Sequence, residues 1–119
     1  MEKVTGIGGF FFRAKDPKAL SAWYLEHLGV GGEPIWQQEA GFTAFSPFKA
    51  DTDYFPTEKQ AMLNFRVRDM DAMIAQLNAA GIEVKTSADW DAPGIGRFAR
   101  IHDPEGNPIE LWEPADGPF

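Results

Sequence analysis

Apolar positions in this chain follow two spacings, and the alternation between them sets out the elements. After Asp16-Pro17, residues Ala19, Leu20, Trp23, Tyr24 and Leu28 recur at helical intervals. Asp caps such a helix and Pro suits its first turn, while Gly29 ends it just after His27. A second helix is predicted from the cap Asp69 to about Ala80, with Ala72, Met73, Leu77 and Ala80 facing inward and Gly81 as its stop. Elsewhere the spacing suits extended chain. Residues 4–14 are Gly- and Phe-rich and predict a strand, as do 61–67 and 82–85. Residues 35–39 and 42–46 predict a hairpin turning at Ala40-Gly41, and 97–102 with 108–113 a hairpin around Asp103-Pro104-Glu105-Gly106-Asn107. Residues 48–60, rich in Pro, Asp and Lys, read as a linker, 87–96 as a loop, and 115–119 as a loose tail.

The order of elements is stated twice. Phe12-Arg13-Ala14-Lys15-Asp16 is echoed by Phe65-Arg66-Val67-Arg68-Asp69 at a constant offset of 53 residues. A period near half the chain predicts a duplicated unit. The expected fold is α+β: two tandem β-α-β-β-β modules, residues 1–57 and 58–119, within a single domain spanning 1–119. Each helix covers one face of its sheet, and the two free faces enclose a groove.

Composition narrows the function classes. A net charge of −7 and a pI near 4.7 argue against a nucleic-acid partner, which needs a basic face. The absence of Cys excludes disulfides, thiolate metal sites and Cys nucleophiles. No apolar run reaches the roughly 18 residues of a spanning helix, and no signal peptide is read at the N-terminus, so no membrane partner is expected and a cytoplasmic location is the default. Gly6-Ile7-Gly8-Gly9 lies on or before a strand with no helix directly after it, so it is not a phosphate loop.

Register sharpens the site. A five-residue loop at 103–107 makes cross-strand partner numbers sum to 210, which pairs Arg100 with Glu110 and Phe98 with Trp112. A two-residue turn at 40–41 pairs Gln38 with Thr43 and Trp36 with Phe45. Each free face then carries an aromatic pair and a polar pair, while Ala99, Ile101, Ile109 and Leu111 point to the helices. Phe11 and Arg13 join Met62, Asn64 and Arg66 on the groove side. Glu110 has two readings: a general base desolvated by Phe98 and Trp112, or a carboxylate paired with Arg100. The aromatics are either a stacking cage for a planar or apolar ligand or a packing interface. His102 and His27 read as surface and helix-end residues. Residues 87–96, with Asp89, Trp90, Asp91 and Gly-Ile-Gly, are a surface connection or a lid.

The duplicated strand-Asp-helix entries, the Trp23-Tyr24 pair and the run Asp103-Pro104-Glu105-Gly106-Asn107-Pro108-Ile109-Glu110-Leu111 make the chain resemble the vicinal oxygen chelate superfamily. That superfamily includes glyoxalase I, extradiol dioxygenases, fosfomycin-resistance enzymes and bleomycin-resistance proteins. The resemblance implies a glyoxalase-like fold and paired modules, within one chain or across a homodimer. In catalytic members a divalent metal is held by side chains from the free sheet faces. The matching positions here are Gly9, Thr43, Met62 and Glu110, of which only Glu110 is a usable ligand. The expectation is therefore a binder of a small aromatic or apolar molecule, with no cofactor and no bound metal. Its groove would be lined by Phe11, Arg13, Trp36, Gln38, Phe45, Met62, Asn64, Phe98, Arg100 and Trp112. The alternative is a metal-dependent glyoxalase-like lyase, isomerase or dioxygenase that uses Glu110 as ligand or base, with further ligands from His102, Gln38 or Asp91.

Overall fold

The computed structural model describes residues 1–32 and 34–116. Helix α1 spans Pro17–Leu28, and its cap is the predicted one: the Asp16 carboxylate accepts from the Ala19 N–H at 3.1 Å. At its end Gly29 takes a left-handed conformation, φ 67°, which lets its N–H reach the Leu25 carbonyl and the Val30 N–H the Tyr24 carbonyl, both at 3.1 Å. Helix α2 spans Met70–Ala79. Asp69 accepts from the Ala72 N–H at 3.0 Å, and Glu113 from the Met70 N–H at 2.8 Å, so two carboxylates meet its positive end.

Four strands form one open sheet: β1 (Leu63–Arg66), β2 (Lys85–Thr86), β3 (Gly96–His102) and β4 (Pro108–Pro114). Their order is β1-β4-β3-β2, with β1 parallel to β4 and the other pairs antiparallel. The hairpin register is the one read from sequence, with Arg100 opposite Glu110 and Phe98 opposite Trp112. Both helices serve this single sheet. Leu20 and Tyr24 of α1 and Met70 and Leu77 of α2 share one core with Ala99, Ile101, Ile109 and Leu111. Each large apolar side chain buried there contributes about 1.5–3 kcal/mol.

The turn between β3 and β4 fastens α1 to this core. Asp103, 4% exposed, accepts from the Tyr24 hydroxyl and the Asn107 amide at 2.7 Å, and from the backbone N–H groups of Glu105 and Asn107 at 2.9 and 3.0 Å. Glu105 accepts from the N–H groups of Lys15 and Asp16, at 2.6 and 3.0 Å, just ahead of α1. The Asp-Pro-Glu-Gly-Asn run is thus a clamp: one carboxylate ties down the turn and the body of α1, the other the entry to α1.

The expected fold class, two tandem modules enclosing a groove, is overturned. Only the second half forms β-α-β-β-β; the described part of the first half contributes a helix and no strand. Residues 1–13 and 34–51 are exposed throughout, and no ladder forms at the expected hairpin around Ala40-Gly41. The cause lies in where α1 goes. Its apolar face is spent on the sheet of the second half, so strands at 4–14 and 35–46 would have no helix to bury a face against. The sheet stays open and does not curl into a groove. The tail expected over 115–119 lies outside the described residues from 117 on.

Candidate functional site

The face of the sheet away from the helices carries two rows of side chains. Across the strands run Asn64, Glu110, Arg100 and Lys85, each opposite the next. Beside them run Arg66, Trp112 and Phe98. The polar row and the aromatic row follow from strand alternation, since Phe65, Ala99, Ile101, Ile109 and Leu111 occupy the other face. Phe98 and Trp112 stack almost parallel, 4° between planes and 6.3 Å between centroids. Trp112 is fixed in place by its indole N–H, which donates to the Ile95 carbonyl at 2.9 Å. Residues 87–96 therefore pack against the site as a fixed connection, with a 3₁₀ turn at Ala88–Trp90.

Glu110 is held on both oxygens. Asn64 donates its amide N–H to one at 2.8 Å, and the Tyr54 hydroxyl donates to the other in a short hydrogen bond. Arg100 forms no ion pair with Glu110 among the described residues; instead it donates to the Tyr54 carbonyl at 2.7 Å, with its guanidinium 5.1 Å from the centre of the Tyr54 ring. The Arg100 Nε is buried with no hydrogen-bond partner among the described residues. Burial, then the hydrogen bond and charge of Glu110, push the Tyr54 phenol up to about 12, against a smaller opposing effect of Arg100.

Two hollows flank these rows. One of about 640 Å³ lies along β1 and is lined by Trp36, Gln38, Thr43, Asn64, Arg66 and Trp112, among others. Residues Glu39–Gly41 are held there by arginines: Arg66 donates to the Glu39 carbonyl at 3.0 Å and Arg68 pairs with the Glu39 carboxylate at 2.7 Å. At the other end of the polar row a hollow of about 370 Å³ is lined by Lys85, Arg100, His102, Trp23 and Pro104, among others. Desolvation lowers the pKa of His102, and the positive charges of Arg100 and Lys85 lower it further.

Of the residues expected to line the groove, Asn64, Phe98, Arg100 and Trp112 share one sheet face, together with Glu110, the candidate base or ligand. Trp36 and Gln38 line the hollow beside it, and Met62 is half-buried just ahead of β1. Phe11 and Phe45 are 94% and 86% exposed, and Arg13 is exposed as well, so none of the three is enclosed with the others. Sequence reasoning missed Tyr54, which lies in the segment read as a linker. Its signal was there: Phe48, Tyr54 and Phe55 are aromatic residues in an otherwise polar stretch, and Phe48 packs 5.8 Å from each of the other two rings.

Of the four positions that match metal ligands in catalytic members, Glu110 alone offers a carboxylate, and its two oxygens accept from Tyr54 and Asn64; Gly9, Thr43 and Met62 offer no carboxylate or imidazole. Among the described residues no three His, Cys, Asp or Glu side chains cluster as a metal site. No described helix is long and apolar enough to cross a membrane.

The chain is similar to the crystal structure of TnmS3, an antibiotic binding protein from Streptomyces sp. CB03234, at 26% identity and a TM-score of 0.61, over 97% of this chain and 100% of that one. It also matches a glyoxalase/bleomycin resistance protein from the same organism at 28% identity, over 82% of this chain and 91% of that one, with a TM-score of 0.48. No curated protein matches. The model of the glyoxalase-like domain matches residues 9–112, nearly the whole chain, and the protein therefore belongs to that family, within the vicinal oxygen chelate (glyoxalase/bleomycin-resistance) superfamily.

Proposed function

We propose that this protein binds a small aromatic or apolar molecule without a metal, and does so as a homodimer. The observation that carries the reading is the pairing of rows on the free sheet face. The stacked Phe98–Trp112 pair supplies apolar ring edges, Phe98 half-buried and Trp112 only 7% exposed where it meets the hollow along β1, and Asn64, Glu110 and Arg100 beside it supply directed polar groups. The likeness to TnmS3, an antibiotic binding protein, puts an antibiotic first among ligand classes. The homodimer is supported by the exposed apolar side chains of the first half, Phe10, Phe11, Phe12, Ile35 and Phe45.

The test is a thermal-shift screen of aromatic compounds, in parallel with Mn, Fe, Ni and Zn, followed by titration of Trp fluorescence. Aromatic compounds should raise the melting temperature through mass action, and the metals should not. A metal that binds one per chain and loses its effect in Glu110→Ala would overturn the proposal in favour of metal-dependent lyase or dioxygenase chemistry.

A further inference from the structure

We infer that Tyr54 is a built-in stand-in for the ligand, and that the ligand is a planar hydroxyaromatic molecule whose hydroxyl takes over the place of the Tyr54 phenol on Glu110. The inference rests on the binding reading above and names its ligand class. Three observations converge on Tyr54. Its hydroxyl donates to Glu110, whose other oxygen Asn64 already holds in position. Its ring lies against the Arg100 guanidinium, a contact open to any electron-rich aromatic. Its neighbour Arg100 keeps a buried Nε without a partner among the described residues, a donor that Tyr54 does not use and a second oxygen on a ligand would. The polar row is thus built to receive an aromatic hydroxyl, and the chain fills it with its own.

The attachment of residues 48–60 suits a plug that can leave. This segment joins no strand of the sheet. Besides the Tyr54 contacts it is tied at Lys59, whose ammonium donates to the Asn107 side chain at 3.2 Å. Among the described residues its remaining hydrogen bonds are local, Thr52 N–H to the Lys49 carbonyl and Lys59 N–H to the Pro56 carbonyl, both at 3.0 Å, and Tyr54 N–H to the Thr52 hydroxyl at 3.2 Å, and none of them ties the segment to the sheet. Tyr54 is the group the ligand must outbid, so the apparent affinity is the intrinsic one scaled by the fraction of chains with the plug out.

The experiment compares 2-naphthol with 2-methoxynaphthalene, the same ring system without a donor hydrogen, by isothermal titration against the full chain and its Tyr54→Phe variant. The wild type should bind the naphthol at least tenfold more tightly than the ether. Tyr54→Phe, whose plug has lost its hydrogen bond to Glu110, should bind both probes more tightly by a similar factor of about five to ten. Equal binding of the two probes by the wild type overturns the hydroxyl assignment, and that comparison needs no variant to fold. Weaker binding in a folded Tyr54→Phe overturns the plug, because Tyr54 would then be a ligand contact. In both cases other aromatic compounds still bind and the binding reading stands. Failure of every aromatic compound, in wild type and variant alike, overturns the binding reading and this inference with it.

Discussion

The buried hydrogen bond between Tyr24 and Asp103 lends itself to a direct measurement. Tyr24→Phe removes one oxygen, keeps the ring that packs in the core, and leaves Asp103 with three of its four donors. No cavity of consequence opens, so the loss isolates the bond. A hydrogen bond to a charged acceptor contributes roughly 1.5–3 kcal/mol. At 2.7 Å and with Tyr24 and Asp103 only 6% and 4% exposed, water screens this one poorly, so the upper half of that range applies. For a chain of this size each kcal/mol lowers the melting temperature by roughly 3–6 °C, so the melting temperature of Tyr24→Phe should fall by about 7–18 °C. Urea unfolding followed by circular dichroism should show an earlier midpoint with an unchanged slope. There is also an alkaline signature. Burial first, then the hydrogen bond and charge of Asp103, raise the Tyr24 phenol well above its ordinary value. The stabilisation it gives is complete below the unfolded-state value of about 10 and is lost as pH rises from there toward the folded value. Tyr24→Phe should lack that loss. A midpoint within about 0.5 kcal/mol of wild type, or coupling of that size in a cycle with Asp103→Ala, would refute the clamp.

Two further outcomes are expected. Gly96 sits at φ 141°, and a Cβ there would lie 2.1 Å from the Glu113 carbonyl oxygen and 2.8 Å from the Trp112 indole nitrogen; Gly96→Ala should cost about 1–3 kcal/mol in urea unfolding and shift the Trp emission. His102 has a folded-state pKa below its ordinary value of about 6.5, so as pH falls through that value the unfolded chain takes up the proton first and stability drops; His102→Gln should flatten the stability profile just below about pH 6.5.

The second half of the fold was legible because its signals are local. Asp69 and Gly81 bracket a helix, and a five-residue turn fixes the pairing of β3 with β4 without reference to anything distant. The positions of four residues on the free face, Phe98, Arg100, Glu110 and Trp112, followed from that register alone. The first half misled because alternation says which side chains could share a face, and says nothing of whether a helix remains to cover it. Both Asp-capped helices read correctly, yet Leu20 and Tyr24 pack on the same sheet as Met70 and Leu77. Tyr54 was hidden for the opposite reason: its partners Glu110 and Arg100 are 56 and 46 residues away, and no local pattern in residues 48–60 says that this segment lies over the β3–β4 pair.

The two edges of the sheet are unequal, and the difference bears on how large an assembly can grow. The β2 edge is two residues long and carries Lys85, a poor template for another strand. The β1 edge is four residues long, and the hollow beside it is lined by Trp36, Phe42 and Thr43. Residues 36–43 of the same chain line that edge, with Glu39 tied to Arg66 and Arg68, so a strand could add there only by displacing them. In the proposed homodimer, contact through β1 would leave only the blunt β2 edges outward and so would close at a two-fold pair instead of propagating into a fibre.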